Sequence, residues 1–338
     1  MKKETVIAIL GGALSALLMA SATPLVAGAL TPLAMMPAYL SQLPLLAVGL
    51  GLGVSAVIKA GVAAAVASAL AANVIYGLMF AALVAAPAVL LTGVVLNRRP
   101  APDGGLAWAP LGHAAGVMCA FAGGAIVFAT AMAAGLEGGL FGQLERLAAS
   151  ITAEFDTAFA DDPTISGREL AEAFAIVAPF APGIIGASWL LMLAANSALA
   201  QTILRRAGRN LRPFPAFTEF SVPGWLSITW GVVTLAWIAF DGAAGTLAAN
   251  LTLVLSVPFF FAGLAVVHAW AARFGMARPG IRAVLLFGLY GSLVLIRMPI
   301  VLILVATGLI DDVANLRRHA GALKTSLPAR RPDDNDED

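Results

Sequence analysis

Charge is what this chain has least of. Only 12% of its 338 residues are charged, where a soluble domain carries about 25%, so a water-soluble globule is excluded. The charges present nearly cancel, 20 Lys+Arg against 19 Asp+Glu for a formal +1, which removes the case for a nucleic-acid partner. One cysteine excludes an internal disulfide and a thiolate metal cluster. Neither His113 nor His319 has a Cys, His or carboxylate at ligand spacing, so no metal site is expected. G-x-S-x-G, H-E-x-x-H and G-x-x-x-x-G-K are all missing, and no catalytic residue or cofactor is assigned.

What is abundant is apolar and small. Hydrophobic residues make up 60% of the chain, with 34 Gly and 19 Pro but only 8% aromatics, and the mean hydropathy is +0.91. That composition describes closely packed membrane helices with breaks. A bilayer core takes about 20 apolar residues per helix. Stretches of that order lie at residues 5–22, 38–58, 60–77, 79–96, 111–135, 171–203, 223–243, 246–272 and 282–310. The expected fold is all-α: a polytopic transmembrane bundle of about 8–10 membrane segments over residues 1–310, with a cap or loop at 136–170 and a cytoplasmic, partly disordered tail at 311–338. Asn73 and Gly77 are the only plausible corner between the third and fourth stretches. The first stretch reads either as a retained helix or as a signal peptide cleaved at Ala20-Ser21-Ala22.

Basic residues set the expected direction. With the amino terminus inside a bacterial cytoplasmic membrane, Lys59, Arg98, Arg99, Arg205, Arg206, Arg209, Arg212, Arg273, Arg278 and Arg282 all fall on the cytoplasmic side. Residues 137–172 then lie outside, with eight acids against two bases. A single crossing at 282–310 would export the basic tail. Two short helices turning near Arg297-Met298-Pro299 keep it inside, and 17 of the 20 basic residues are then cytoplasmic. The alternative is one tilted helix with Arg297 facing the protein interior.

Several features are candidates for function. Leu140, Leu144, Leu147, Ile151, Phe155 and Phe159 form an apolar stripe at helical spacing, predicting an amphipathic helix that is either a lid or a structured loop. Ser166 and Glu169 have capping-box spacing. Pro179, Pro182 and Gly183 interrupt a membrane helix, either as a packing kink or as the lining of a ligand site. Asn196, Asn250, Asp241, His268 and Arg297 are polar groups in apolar surroundings and hence ligand-binding candidates. Asp241-Gly242 also reads as a hairpin corner, and His268 as an interfacial residue. Ala8, Gly12, Ala16 and Ala20 form a small-residue groove suited to another helix, of this chain or of a partner. Gly49 to Gly53, GLGLG, are expected to permit close helix contact.

Three segments carry a resemblance to a known family: RPFPAFTEFSVPGWLSITW at 212–230, FFFAGLAVVHAW at 259–270 and GLIDDVANLRR at 308–318. With Pro213, Pro215, Pro223, Trp225, Gly263, Gly308, Asp311 and Arg317 as their marked positions, they resemble the YybS-like bacterial membrane proteins. That family is distantly similar to the substrate-binding subunits of energy-coupling-factor vitamin transporters. The resemblance implies a small-molecule ligand bound near the external face and a membrane coupling subunit docked on the groove of Ala8, Gly12, Ala16 and Ala20. It departs from those six-span subunits in its larger number of spans. Import or binding of a small solute is the first functional expectation, a membrane scaffold the second and an intramembrane lipid-processing enzyme the third.

Overall fold

In an apolar solvent every backbone N–H and C=O must find a partner inside the chain, and a helix does this within each segment. The computed structural model accordingly contains helix almost throughout. It describes residues 3–21, 32–100, 105–158, 167–274, 279–296, 298–314 and 316. Arg297, Ser166 and the tail beyond residue 316, all singled out above, lie outside the described residues.

In chain order the helices are α1 (Lys3–Ala20), α2 (Pro32–Tyr39), α3 (Gln42–Leu52), α4 (Val54–Ala71), α5 (Val74–Phe80), a π segment (Ala81–Ala85) and α6 (Ala86–Val95). A small antiparallel hairpin follows, β1 (Arg98–Pro100) with β2 (Leu106–Trp108). Then come α7 (Leu111–Met132), α8 (Gly139–Ala158), α9 (Gly167–Val177), a 3-10 turn (Ala178–Phe180), α10 (Ala181–Arg206), α11 (Gly224–Ala239), α12 (Gly242–Phe274), α13 (Pro279–Leu295) and α14 (Met298–Ala314). Six stretches are long and apolar enough to cross a membrane: Lys3–Ala20, Val54–Ala71, Val74–Val95, Leu111–Met132, Glu172–Arg206 and Gly242–Arg273. Met36–Leu52 and Gly224–Ala239 are shorter apolar helices, and α13 and α14 meet at 119°. The polytopic helical bundle is therefore as expected, and residues 282–310 form two helices.

The corners differ in part from the sequence reading. Asn73 does make a corner, its side chain accepting from Tyr76 N at 2.9 Å as the N-cap of α5. The preceding corner falls at Gly53, with φ +94°, and not between residues 58 and 60. Glycine tolerates that conformation and the next residue restarts a helix, so Lys59 sits inside α4. In GLGLG, Gly49 faces Thr92 and Gly51 faces Leu204, as close contact requires, while Gly53 makes the turn. Asp241 is exposed at the corner before Gly242, whose φ is +64°.

Two prolines inside apolar helices are compensated by side chains from elsewhere. Pro87 has no N–H for Leu83 O, four residues earlier; the chain widens into the π segment there, and Trp189 Nε1 donates to Leu83 O at 3.3 Å. Pro258 likewise leaves Val254 O without its donor, and the Cys119 thiol reaches it at 3.5 Å. Cys119 is 1% exposed. It is expected to resist N-ethylmaleimide in the folded protein and to react fully after denaturation, read by intact mass; rapid labelling of the native protein would contradict this packing.

By its packing the chain divides into two units, one comprising Met1–Ala216 with Ile228–Val257 and the other Phe217–Ser227 with Pro258–Asp338. In the first, α1 lies along α4 and also touches α2 and α3. Ala8, Gly12 and Ala16 are buried there, and a Cβ at Gly12 would stand 2.2 Å from Ala60 O. The chain's own α4 thus fills the small-residue groove, with only Ala20 at its partly open end. In the second unit, α12 and α14 cross through glycines: a Cβ at Gly263 would lie 2.0 Å from Leu304 O, and one at Gly308 1.9 Å from Phe259 O. Ser227 Oγ donates to Asp312 Oδ2 at 2.6 Å in the same unit.

The amphipathic helix is present as α8, packed against α9 and the 3-10 turn. Its buried seam is Phe141, Ala148 and Thr152, whereas Leu147 and Ile151 of the expected stripe are exposed. The apolar maximum and the packed face are neighbours on the helix and do not coincide, because an apolar side chain in a membrane protein can as readily meet lipid as protein.

Candidate functional site

Two proline-flanked interruptions of apolar helix in the first unit differ in how their polar groups are satisfied. At the first, between α9 and α10, the 3-10 turn exposes Pro179 O and the amide of Gly183. Asn250 of α12 closes both: its Oδ1 accepts from Gly183 N at 2.6 Å, and its Nδ2 donates to Pro179 O at 2.8 Å and to Thr246 O at 2.8 Å. Pro182 sits in the first turn of α10, where a missing N–H costs nothing. Gly183 is needed for the approach, since a Cβ there would fall 2.8 Å from Asn250 O. Asn250 is fully buried. Both ends of the Asn250 amide are thus bonded within the chain.

The second interruption, between α2 and α3, is different. Pro37 and Pro44 bracket it, and the chain turns through Leu40 and Ser41 with i to i−3 bonds from Leu40 N to Pro37 O and Ser41 N to Ala38 O, both 3.0 Å. Two freed carbonyls are answered from neighbouring helices. Ser15 Oγ of α1 donates to Ser41 O, and Asn196 Nδ2 of α10 donates to Tyr39 O at 2.8 Å and to Met192 O at 3.0 Å. Two carbonyl partners settle which end of the Asn196 amide is nitrogen. Its Oδ1 is then buried with no partner among the described residues, as are both Gln42 Oε1 and Gln42 Nε2. Gln42 is 1% exposed and Asn196 2%.

A buried amide is normally hydrogen-bonded, because leaving one of its groups unpaired costs about 1–3 kcal/mol. Here an acceptor on α10 and a whole amide group in the first turn of α3 are buried without partners next to one helix break, with no charged residue in α3 or in the turns of α1 and α10 that bond to it. Such a set suits an uncharged guest carrying hydroxyl, amide or carbonyl groups. Thr92 Oγ1, against Gly49 two turns along α3, and Gln201 Oε1, on α10, are also buried without partners.

Of the residues proposed from sequence, the fold brings Pro179, Pro182 and Gly183 together with Asn250 at the first break, and Asn196 alone to the second. Asp241 lies at the exposed corner. His268 belongs to the second unit, where Nδ1 donates to Leu264 O at 2.8 Å, Nε2 accepts from Tyr290 OH at 3.2 Å and Phe217 packs edge-on. Among the described residues no cluster of His, Cys, Asp or Glu could hold a metal. Gln42, Ser15 and Tyr39 were missed. The readable signal was the Ser41-Gln42 pair between two prolines in an otherwise apolar run.

Span lengths and composition define a polytopic helical membrane protein. The chain belongs to the predicted membrane protein family DUF2232, whose profile matches residues 13–312. No curated protein and no solved structure matches it.

Proposed function

We propose that this protein binds a small, uncharged, hydrogen-bonding solute at the break between α2 and α3 and serves its passage across a bacterial cytoplasmic membrane. The observation that carries the reading is the buried, unpartnered Gln42 amide in the first turn after the break, together with the unpartnered Oδ1 of Asn196, whose Nδ2 bonds Tyr39 O at the same break. Interrupted helices at mid-span are a recurrent way to expose hydrogen-bonding groups to a transported solute. The similarity of YybS-like proteins to energy-coupling-factor substrate-binding subunits supports the same reading by analogy only. No nucleotide-binding motif is present in the sequence, so energy would come from a membrane coupling subunit or an ion gradient. The distribution of basic residues favours cytoplasmic amino and carboxyl termini.

Native mass spectrometry of the protein in mild detergent tests this. The wild type is expected to carry a small-molecule adduct that Gln42→Leu and Asn196→Leu lose. Gln42→Leu is also expected to stabilise the unliganded protein by about 1–3 kcal/mol, since it removes two unpaired polar atoms at nearly constant volume. A wild type at its bare sequence mass, together with a Gln42→Leu melting temperature that falls, would overturn the reading and favour a scaffold.

A further inference from the structure

The chain carries a second polar feature, at the end of the first unit where three spans terminate. Val74–Val95 ends, Leu111–Met132 begins and Glu172–Arg206 ends there, tied together by the hairpin and the loop after α10. Cross-strand pairing sets Arg98 opposite Trp108, and the guanidinium lies 4.2 Å from the indole centroid. Arg212 approaches the same ring at 5.8 Å and donates to Val95 O at 2.9 Å. Its own carbonyl is held by Gln201 Nε2 at 2.8 Å and Asn210 Nδ2 at 2.7 Å. Burial lowers the Arg212 guanidinium from its ordinary pKa.

Around this fixed arginine lie exposed ones: Arg98, Arg99, Arg205, Arg206 and Arg209. Arg99 Nη2 meets His113 Nε2 at 3.0 Å, and Arg205 sits 4.8 Å over Phe214. None of the six is in a salt bridge among the described residues. Within residues 95–113 and 200–216 the sequence offers six arginines and one acid, Asp103. Interleaved with them are apolar side chains that water does not favour: Leu106 is 67% exposed, Leu211 46% and Phe214 42%.

We propose that this arginine face, organised on Trp108, binds the phosphate headgroup of an anionic phospholipid. Its position at the ends of three spans sets it at headgroup depth. The exposed Leu106, Leu211 and Phe214 can enter the acyl boundary beside it, as aromatic and aliphatic anchors do. A free phosphate would make no use of those apolar side chains, and a basic pocket between span ends is a known form of headgroup site. Guanidinium groups hold phosphate oxygens in bidentate geometry.

The test uses the full chain in detergent, titrated with phosphatidylglycerol or phosphatidylcholine and read by native mass spectrometry, with inorganic phosphate in a third arm. Wild type is expected to bind phosphatidylglycerol at least about tenfold more tightly than phosphatidylcholine, with R205Q/R206Q/R209Q losing most of that preference. The charge-retaining R205K/R206K/R209K should keep part of it. Trp108→Leu should weaken binding with the arginines intact. If the triple Gln variant fails to fold, Arg98→Gln and Arg209→Gln singly are each expected to lower phosphatidylglycerol affinity about two- to threefold. Equal binding of the two lipids, unchanged binding in folded Gln variants, or binding of inorganic phosphate without preference for the lipid would each overturn the proposal.

Discussion

Gly308→Val is expected to cost the protein about 3 kcal/mol or more, and its yield of folded material, because no neighbour can move out of the way. A Cβ at Gly308 would stand 1.9 Å from Phe259 O, 2.8 Å from Phe259 C and 3.0 Å from Gly263 N. All three are backbone atoms of α12, and the facing glycine repeats the problem, with Leu304 O at 2.0 Å from a Cβ on Gly263. Only a separation of α12 from α14 relieves the clash. In a membrane such a crossing is held by close packing with little hydrophobic drive behind it, so separation forfeits most of what joins the two helices. Thermal unfolding in detergent measures the effect. Gly288→Val on α13 is the control, since a Cβ there meets nothing within 4 Å, and its melting temperature should stay near wild type. A Gly308→Val protein that melts with the control would mean the helices do not cross this closely.

Asn250→Leu should destabilise by about 2–4 kcal/mol. The substitution removes the partner of Gly183 N and of Pro179 O together, and both lie within a membrane helix where water cannot readily replace it. Leucine keeps the forked outline of asparagine, so the loss is chiefly of these hydrogen bonds. The sign contrasts with Gln42→Leu, expected to stabilise. Asn250 and Gln42 are both buried amides at helix breaks, but one is bonded to the chain at both ends and the other is not. Measured side by side under one detergent condition, the pair separates a structural amide from a ligand-binding one. If both variants lose stability equally, Gln42 is bonded within the chain and the assignment of the solute site fails.

Sequence reading was most secure where the physics is one-dimensional. Apolar run length and the scarcity of charge establish membrane helices, since few other solutions bury so much hydrocarbon. Asn73 as a corner and Pro299 as a break are local signals, and the chain turns where they mark it. Gly53 was harder to see, because one glycine in a glycine-rich apolar run has no local mark distinguishing a turn from a packing contact.

By itself, then, the sequence determined a polytopic helical membrane protein, the approximate positions of its spans and the segregation of its arginines from its acids. Tertiary structure alone decided which polar groups are used up. Asn196 and Asn250 look alike in sequence, and only the packing of α10 and α12 shows that both ends of the Asn250 amide are bonded while Asn196 keeps an unpartnered acceptor. It also decided that α4 fills the groove of Ala8, Gly12 and Ala16, and that α8 packs through Phe141, Ala148 and Thr152 while Leu147 and Ile151 stay exposed. The physical reason is the same in each case. Lipid and protein interior are equally apolar, so hydrophobic periodicity does not distinguish the face that meets protein from the face that meets membrane.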